Sequence, residues 1–218
     1  MVERLIAYRR PLRLWLAGGK TRIYSHELAD LNGVTPAVVR RDLMTIGYAG
    51  SPARGYAVTG LVEKLDALLD VSRDGGIVLV GAGTLGRAML SHFCQTHPDF
   101  RVSAVFDSAP ENVGCVIEGF PCQHIATMRS VLDEHPAAIA ILAVPGSAAQ
   151  AVADELVATG VRGLVNLTST RLGVPPEVYV EDMNISVLVE KVAFLARQGA
   201  ARTELCVAAE CARDVAQV

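Results

Sequence analysis

A glycine-rich segment contains the residues with the clearest chemistry in this chain. Residues 76–107, GIVLVGAGTLGRAMLSHFCQTHPDFRVSAVFD, contain an apolar run, glycines at Gly81, Gly83 and Gly86, a stretch of helical spacing and a second apolar run ending at Asp107. In a strand–turn–helix unit the first glycine permits a tight turn, the second lets backbone approach a pyrophosphate and the third lets the helix pack closely. The helix N-terminus then offers N–H groups to the anion. The segment therefore predicts a dinucleotide site.

Asp107 indicates which dinucleotide is bound. It follows Gly86 by 21 residues, at the end of the next predicted strand, where a carboxylate accepts hydrogen bonds from the adenine ribose hydroxyls. Its charge favours NAD(H) over NADP(H). Two alternatives stay open: a sheet without ligand in which Asp107 only caps a strand end, and a CoA-binding sheet, which does not need the ribose acid. The residues predicted to bind the cofactor are Gly81, Ala82, Gly83, Thr84, Leu85, Gly86, Asp107, Val144, Pro145 and Asn166.

Strand-like and helical segments alternate from residue 76 onward. This order predicts a Rossmann-type, doubly wound parallel sheet, in which ligands bind at the carboxyl ends of the strands. The turns after Val80, Phe106, Val144 and Asn166 are expected to line one crevice. The predicted strands are 77–80, 102–106, 138–144 and 163–167, the predicted helices are 84–95, 126–134 and 148–159, and 115–122 is predicted as irregular strand or loop.

Charge is unevenly distributed along the chain. Residues 1–58 hold nine Lys and Arg against four Asp and Glu, whereas residues 59–218 hold eleven against nineteen, within a formal net charge of −3. A basic N-terminal part joined to an acidic remainder predicts that the first part meets a polyanion.

The basic part has the pattern of three short helices. The first is expected over 11–17, beginning at Pro11, and the second over about 26–31, capped by Ser25 and ended by Asn32 and Gly33. Thr35 caps a third helix that has Pro36 at its first position. This is a helix-turn-helix, and the glycine-rich segment 47–56 predicts a hairpin wing.

Basic residues of this predicted winged helix are candidates for DNA contact. Arg40 and Arg41 face away from Val38, Val39 and Leu43 and are suited to anchoring phosphates or reading bases. Arg54 at the wing tip is suited to a minor groove or a phosphate. The alternative is that these arginines are only solvated side chains on a small interaction module. The predicted DNA-binding residues are Lys20, Arg22, Thr35, Pro36, Arg40, Arg41 and Arg54.

Composition argues against several other classes of protein. The chain is 51% hydrophobic with 5% aromatic residues, which predicts packed aliphatic layers. Its longest apolar stretches, such as 137–144, are too short to span a membrane, and the N-terminus shows no signal-peptide pattern, so a cytoplasmic protein is expected. The five cysteines form no CxxC pair, which predicts free thiols and no metal. No positioned acid–base pair is found, so no catalytic residue is predicted, although an NAD-dependent oxidoreductase stays open.

Several motifs in fixed order resemble the Rex family of redox-sensing transcriptional repressors. They are GVTPAVVRRDL, VGAGTLGRA, AVFD, AILAVPGSAAQAVADELVATGVRGLVN and RLGVPPEV, and the resemblance runs from about residue 8 to 194. It implies a homodimer that binds an inverted-repeat DNA operator through two winged helices. It also implies that NADH favours a closed arrangement that releases DNA, whereas NAD⁺ competes and permits binding.

The resemblance further implies a C-terminal helix that is swapped between the subunits. Here that helix corresponds to residues 184–196, whose apolar side chains recur every three or four positions, as expected of one buried face. The same stripe in a monomer would be core packing. The stripe consists of Ile185, Leu188, Val189, Val192 and Leu195.

Three positions depart from the family pattern where a polar cluster is expected. Trp15 stands where the family usually has Arg, Phe93 where it has Tyr, and Asn184 where it has Asp. These are the predicted redox-coupling positions, and the loss of their polar groups predicts altered coupling between cofactor and DNA. The wing, at 52–56, is also one glycine short of the family run.

The predicted domains follow from these patterns. Residues 1–58 form the winged-helix DNA-binding domain, 59–75 a linker helix and 76–183 the Rossmann nucleotide-binding domain. Residues 184–218 form the dimerisation helix and an Ala-rich helical extension.

Overall fold

The computed structural model describes residues 1–51, 54–69, 75–96 and 101–198. The chain divides into two compact units, Met1–Arg73 and Asp74–Val218. The predicted C-terminal extension lies outside the described residues.

The first unit is a winged helix-turn-helix. Strands β1 and β2 pair antiparallel, and Ser51 pairs with Gly55 at the base of the wing. The elements are α1 (Val2–Ala17), β1 (Arg22–Ile23), α2 (Ser25–Asn32), α3 (Pro36–Thr45), β2 (Tyr56–Ala57) and α4 (Val58–Leu69).

Helix α1 is longer than the sequence predicts. The prediction that it begins at Pro11 is wrong, because the helix begins at Val2 and contains that proline. Leu5, Tyr8 and Leu12 follow one helical face and are all buried. A proline inside a helix costs about 3 kcal/mol in isolation. Burial of this apolar face stabilises the helix despite that cost.

The start of α2 also differs from the prediction. Ser25 is the first helical residue rather than the cap, and the cap is Tyr24, whose backbone N–H donates to the Glu27 carboxylate at 2.8 Å. Arg22 lies in strand β1, just before this helix. The predicted cap of α3 is confirmed, since the Thr35 hydroxyl accepts from the Val38 N–H and Pro36 opens the helix.

Helix α4, predicted as a linker, is also part of the core of the first unit. Val58, Leu61, Val62 and Leu65 are buried in the same apolar cluster as the face of α1. The remainder of the predicted linker, residues 70–74, lies outside the described residues.

A buried carboxylate that the sequence patterns did not reveal joins α1 to α3. Asp42 is buried, and its oxygens accept two hydrogen bonds from the Arg4 guanidinium, at 2.6 and 2.8 Å, and one from the Tyr8 hydroxyl at 3.1 Å. The bonds from Arg4 outweigh the effect of burial and lower the pKa of Asp42 below its ordinary value. Burial, together with the bond to Asp42, raises the pKa of Tyr8 to about 12.

This arrangement predicts loss of stability in acid. Because the pKa of Asp42 is lower in the folded than in the unfolded chain, its contribution is fully present above the unfolded pKa and is lost as pH falls through the folded pKa. Asp42→Asn is expected to cost roughly 2 kcal/mol at neutral pH, because hydrogen bonds to a charged group are lost. The difference from wild type should shrink below about pH 4. Trp15 is the only tryptophan and lies in this unit, so its fluorescence during denaturant unfolding measures the effect. An unchanged difference at acid pH would contradict the assignment.

The second unit is a seven-stranded sheet in the order β5-β6-β4-β3-β7-β8-β9, parallel except for β5. The predicted Rossmann-type doubly wound fold is confirmed. The strands are β3 (Gly76–Val80), β4 (Val102–Asp107), β5 (Val116–Ile117), β6 (Phe120–His124), β7 (Ala137–Leu142), β8 (Gly163–Asn166) and β9 (Tyr179–Asp182). The helices are α5 (Thr84–Thr96), α6 (Met128–Glu134), α7 (Gly146–Ala158) and α8 (residues 185–198).

Alternate residues of the central strand β3 enter two different apolar layers. Val78 and Val80 pack with α6 and α7, whereas Ile77 and Leu79 pack with α5. All five residues of β3 are buried, as expected of a central parallel strand.

Two parts of the sheet differ from the prediction. The segment 115–122, predicted as irregular strand or loop, forms the hairpin of β5 and β6, and β6 pairs with β4. Strand β9 was not predicted, because its alternation is weak and its side chains are mostly exposed. The helix predicted over 126–134 begins instead with a 3₁₀ turn, Ile125–Thr127, before α6.

Helix α8 presents an apolar surface to solvent. Its start is fixed by Asn184, whose side-chain oxygen accepts from the Val187 N–H at 3.1 Å. The five side chains of the predicted stripe are each more than half exposed in the single chain. No helix among the described residues is long and apolar enough to cross a membrane.

Candidate functional site

The glycine turn between β3 and α5 combines close packing with an open surface. Gly81 has φ of 100°, which favours glycine, and a Cβ at Gly86 would overlap the Gly81 carbonyl. These two positions shape the turn and bring α5 onto the sheet. A Cβ at Gly83, in contrast, would meet no atom within 4 Å. Backbone at Gly83 is therefore open to a close approach by another molecule.

Asp107 stands beside this turn at the end of β4 and is 9% exposed. Its Oδ2 accepts from the Ala82 N–H at 2.7 Å and from the Asn112 amide at 3.0 Å, while its Oδ1 accepts from the Ala109 N–H at 2.8 Å. Burial opposes ionisation, but these hydrogen bonds prevail and the pKa of Asp107 is lowered. The carboxylate is therefore charged at neutral pH, and it lies at the carboxyl end of β4 beside the glycine turn.

Arg87 and Asn112 form hydrogen bonds that hold Asp107 in position beside the glycine turn. The Arg87 Nε donates to the Ala82 carbonyl at 2.7 Å, and its guanidinium donates to the Asn112 side-chain oxygen at 2.7 Å. Because the Asn112 oxygen accepts from Arg87, the NH₂ group of its side chain points toward Asp107. Neither residue was predicted from the sequence. Arg87 could have been predicted, because it directly follows the third glycine of the motif. No spacing rule points to Asn112.

A crevice of about 650 Å³ opens at the carboxyl ends of β3, β4 and β7. Asp107 and Ser108 supply a polar end, and Ile125 and Val152 supply apolar wall. The predicted residues Gly81, Gly83, Asp107, Val144 and Pro145 all line this crevice. Its remaining lining residues are Ala109, Asn112, Ala143 and Ala148.

The other predicted cofactor residues are placed differently. Ala82 is buried and its N–H is taken by Asp107, while Thr84 and Leu85 are exposed in the first turn of α5. Asn166 is also buried. Its amide donates to the Thr170 carbonyl and to Asp182, and its oxygen accepts from Thr168. Asn166 therefore holds the loop after β8, and the turn that follows it does not contribute to the crevice lining.

Helix α3 presents its arginines on one side of the first unit. Val39 and Leu43 are buried, and Arg40 and Arg41 are exposed, which confirms the predicted orientation of the helix. The Arg40 guanidinium donates to the Ser25 hydroxyl at 3.2 Å. The N-terminus of α3, with Thr35 exposed, lies on the same helix as this cationic surface.

A shallow cavity of about 540 Å³ lies between α2, α3 and the wing. Arg40 and Met44 line it from α3, and Gly50 and Ser51 from the wing. Tyr24 and His26, whose rings stack at 5.7 Å, line it from the start of α2, together with Ser25. These three residues were not predicted as contacts from the sequence, although their place at the start of α2 is visible in it.

Two of the remaining predicted cations, Lys20 and Arg22, are engaged within the unit. The Lys20 ammonium pairs with Glu27 at 2.5 Å and lies 4.4 Å from the centre of the Trp15 ring. This ion pair lowers the pKa of Glu27. The Arg22 guanidinium donates to the Arg54 carbonyl at 3.1 Å and so joins β1 to the wing. Arg54 is exposed, and its neighbours Pro52 and Ala53 lie outside the described residues.

The three predicted coupling positions have individual roles in their own units. Trp15 is half-buried and carries Lys20 on its ring. Phe93 packs from α5 against the apolar layer of the sheet, and Asn184 caps α8. None of the three is an ionised group.

Fold and site together define a two-domain protein in which a winged helix precedes a Rossmann-type nucleotide-binding domain. Family models agree with both halves: one described as a putative DNA-binding protein N-terminus matches residues 1–43, and one described as a CoA binding domain matches residues 72–170. The redox-sensing transcriptional repressor Rex of Roseiflexus sp. (strain RS-1) is 34% identical over 198 residues, which are 90% of each chain.

Solved structures give the same result. The Rex-family repressor RSP in complex with β-NAD⁺ and operator DNA has a TM-score of 0.85 at 28% identity, covering 94% of both chains. RSP in complex with β-NADH has a TM-score of 0.78 at 28% identity, covering 94% of this chain and 96% of the other. The chain belongs to the Rex family of redox-sensing transcriptional repressors.

Proposed function

We propose that this protein is a transcriptional repressor that binds operator DNA through its winged helix and senses the NADH/NAD⁺ ratio through its Rossmann domain. The observation that carries the proposal is the ionised Asp107 beside the open backbone of Gly83 in one crevice. The named functions of its relatives support the same conclusion.

The negative charge and the open glycine backbone of the crevice favour NAD as its ligand. The Asp107 carboxylate receives the adenine ribose hydroxyls and repels a 2′-phosphate, while the pyrophosphate passes over Gly83 toward the N-terminus of α5. Val144 and Pro145 form the wall after β7. Ala82, Gly81 and Gly86 shape the turn, and Thr84 and Leu85 open the helix that faces the phosphates. Asn166 acts on the neighbouring loop rather than on the nucleotide.

The DNA contacts lie on α3 and the wing. Arg40 and Arg41 enter the major groove with the N-terminus of α3, where Thr35 and Pro36 stand, and Arg54 reaches the flanking backbone or minor groove. Arg22 and Lys20 contribute charge near the backbone, although both are also engaged within the unit. The cavity lined by Tyr24, Ser25 and His26 adds further surface beside Arg40.

The protein acts as a homodimer on an inverted repeat. The exposed apolar stripe of α8 supports this, since five large aliphatic side chains on one helix favour burial against a partner chain. NADH releases the dimer from DNA, and NAD⁺ permits binding. Trp15, Phe93 and Asn184 have no ionisable side chain, so the release does not use an ion pair among these three residues. The protein is a cytoplasmic regulator and not an enzyme.

A selection experiment tests this function. Duplexes are enriched from a random pool on the purified protein, in parallel with NADH, with NAD⁺ and without nucleotide. The expected result is an enriched palindrome whose binding NADH weakens. If NADH does not change binding to the enriched duplex, the proposed redox sensing is contradicted. If no duplex is enriched, the proposed role as a DNA-binding repressor is contradicted.

Asp107→Asn tests the choice of cofactor. Removal of the charge is expected to weaken NADH binding by roughly tenfold, which is the value of a hydrogen bond to a charged group. It should also reduce the ratio of the affinity for NADH to the affinity for NADPH. Glu111→Gln removes a nearby exposed carboxylate and is the matched control. Fluorescence titrations with both nucleotides measure the effect. An unchanged ratio of affinities would show that Asp107 does not select the ribose.

CoA is a second candidate ligand, because the matching family model over 72–170 is described as a CoA binding domain. Competition between CoA and NADH in the same titration distinguishes the two. Tight CoA binding that is insensitive to Asp107→Asn would favour this alternative.

A further inference from the structure

Two cysteines face one another across the hairpin of β5 and β6, beside Asp107. The pairing of Val116 with Pro121 and of Ile117 with Phe120 places Cys115 opposite Cys122. The Cys122 N–H donates to the Cys115 carbonyl at 2.8 Å, which fixes this register at the cysteines themselves. Neither cysteine belongs to the proposed nucleotide or DNA contacts.

Both side chains lie on the same face of the hairpin. Ile117, two residues after Cys115, and Cys122 pack in one apolar cluster, so alternation places the Cys115 Cβ toward that face too. Opposed residues of an antiparallel pair have Cβ atoms about 4.5–5.5 Å apart. A disulfide needs about 3.5–4.5 Å. A shift of about 1 Å therefore closes the bond.

The two thiols differ in access. Cys115 is exposed, whereas Cys122 is 2% exposed. Burial raises the pKa of the Cys122 thiol, and the nearby carboxylate of Asp107 raises it further, against the opposing effect of Arg87. The exposed thiol is thus the one that an oxidant reaches. It donates to the Glu111 carbonyl at 3.3 Å, and this bond breaks when the side chain turns toward Cys122.

We propose that Cys115 and Cys122 form an intramolecular disulfide when the protein meets a hydroperoxide. The Cys115 sulfur attacks one peroxide oxygen, the O–O bond breaks, and the departing oxygen leaves as water with the thiol proton, giving a sulfenic acid. The Cys122 sulfur then attacks the Cys115 sulfur, the S–O bond breaks, and a second water leaves with the Cys122 proton. Two thiols and one hydrogen peroxide give one disulfide and two waters.

The bond has a route to the nucleotide crevice. The Cys115 N–H donates to the Asn112 carbonyl, and Gly114 between them has φ of 84°, as in a type II turn. The side chain of Asn112 donates to Asp107. Drawing Cys115 toward Cys122 shifts this turn and withdraws the Asn112 amide. This consequence rests on the proposed NAD site. Without the bond from Asn112, the Asp107 carboxylate is no longer held in position for the ribose hydroxyls, and roughly tenfold weaker NADH binding is expected.

Peptide mapping tests the disulfide directly. Trypsin leaves both cysteines in one peptide, 102–129, and cleavage after Glu111 and Glu118 then separates 112–118 from 119–129. After treatment of the full chain with hydrogen peroxide and blocking of free thiols, these two pieces are expected to stay joined until a reductant is added. Cys94→Ser should behave as wild type, and Cys115→Ser and Cys122→Ala should give no joined pieces.

Several results would overturn the proposal. One is oxidation of Cys115 to sulfinic acid while the Cys122 thiol of the unfolded protein still reacts with the blocking reagent. Another is a disulfide that joins either cysteine to a peptide containing a different cysteine. Cys115→Ser alters only an exposed side chain, so it remains informative if Cys122→Ala is unstable. A disulfide with unchanged NADH affinity would refute the link to Asn112. Absence of NADH binding by the reduced protein would instead refute the proposed function, and the mapping would still decide the disulfide.

Discussion

Gly83→Val is expected to weaken NADH binding by at least about 100-fold, or about 2.7 kcal/mol. The branched side chain would stand where the pyrophosphate passes over the turn, and no ligand phosphate can share that space. Since a Cβ at this position meets no protein atom within 4 Å, the fold should be unchanged. Calorimetric titration with NADH measures the loss. DNA binding in the absence of nucleotide should stay within a factor of two of wild type.

Two further glycine variants sharpen this result. Gly83→Ala adds one methyl group and should give an intermediate loss. Gly86→Ala places a methyl group against the Gly81 carbonyl and should instead lower the unfolding temperature of the second unit. Normal NADH affinity in Gly83→Val would mean that the phosphates do not cross this turn.

Arg41→Ala is expected to weaken binding to the selected palindrome by roughly 30-fold, about 2 kcal/mol, at constant salt. Arg41 is exposed on α3, so its truncation removes a contact to DNA with little effect on the fold. If Arg41 contacts a phosphate, the slope of log affinity against log salt should fall by about one. If it reads a base, the slope should change less and the sequence preference should relax. Fluorescence anisotropy over a salt series measures both quantities.

Arg129→Ala is the matched control for charge, because Arg129 is exposed on α6 in the other unit. NADH affinity should be unchanged in Arg41→Ala. A loss of both DNA and NADH binding would point to misfolding instead, and equal losses in Arg41→Ala and Arg129→Ala would show that only net charge matters. Arg40→Ala also removes the bond to Ser25, so its effect includes the position of α2.

The local patterns of the sequence predicted most of the second unit. These predictions succeeded because each feature depends on residues that are close in sequence, within one strand–turn–helix unit. The features are the glycine turn, Asp107 and the alternation of strands and helices. Helix α3, with its Thr35 cap, Pro36 and outward arginines, was predictable for the same reason. The start of α1 was not, because tertiary burial of Leu5 and Tyr8 outweighed the local signal of Pro11.

The sequence by itself determined the order of the two domains, the glycine turn and the acid at the end of β4, since each follows from residue type and short spacing. Only the tertiary structure placed Arg4 on Asp42, Asn112 on Asp107 and Cys115 opposite Cys122. The tertiary structure also showed that the Asn166 amide donates to the Thr170 carbonyl and to Asp182, in the loop after β8 and on β9. A polar side chain is satisfied by whichever group the folded chain brings within about 3 Å, and such partners carry no periodic signal along the sequence.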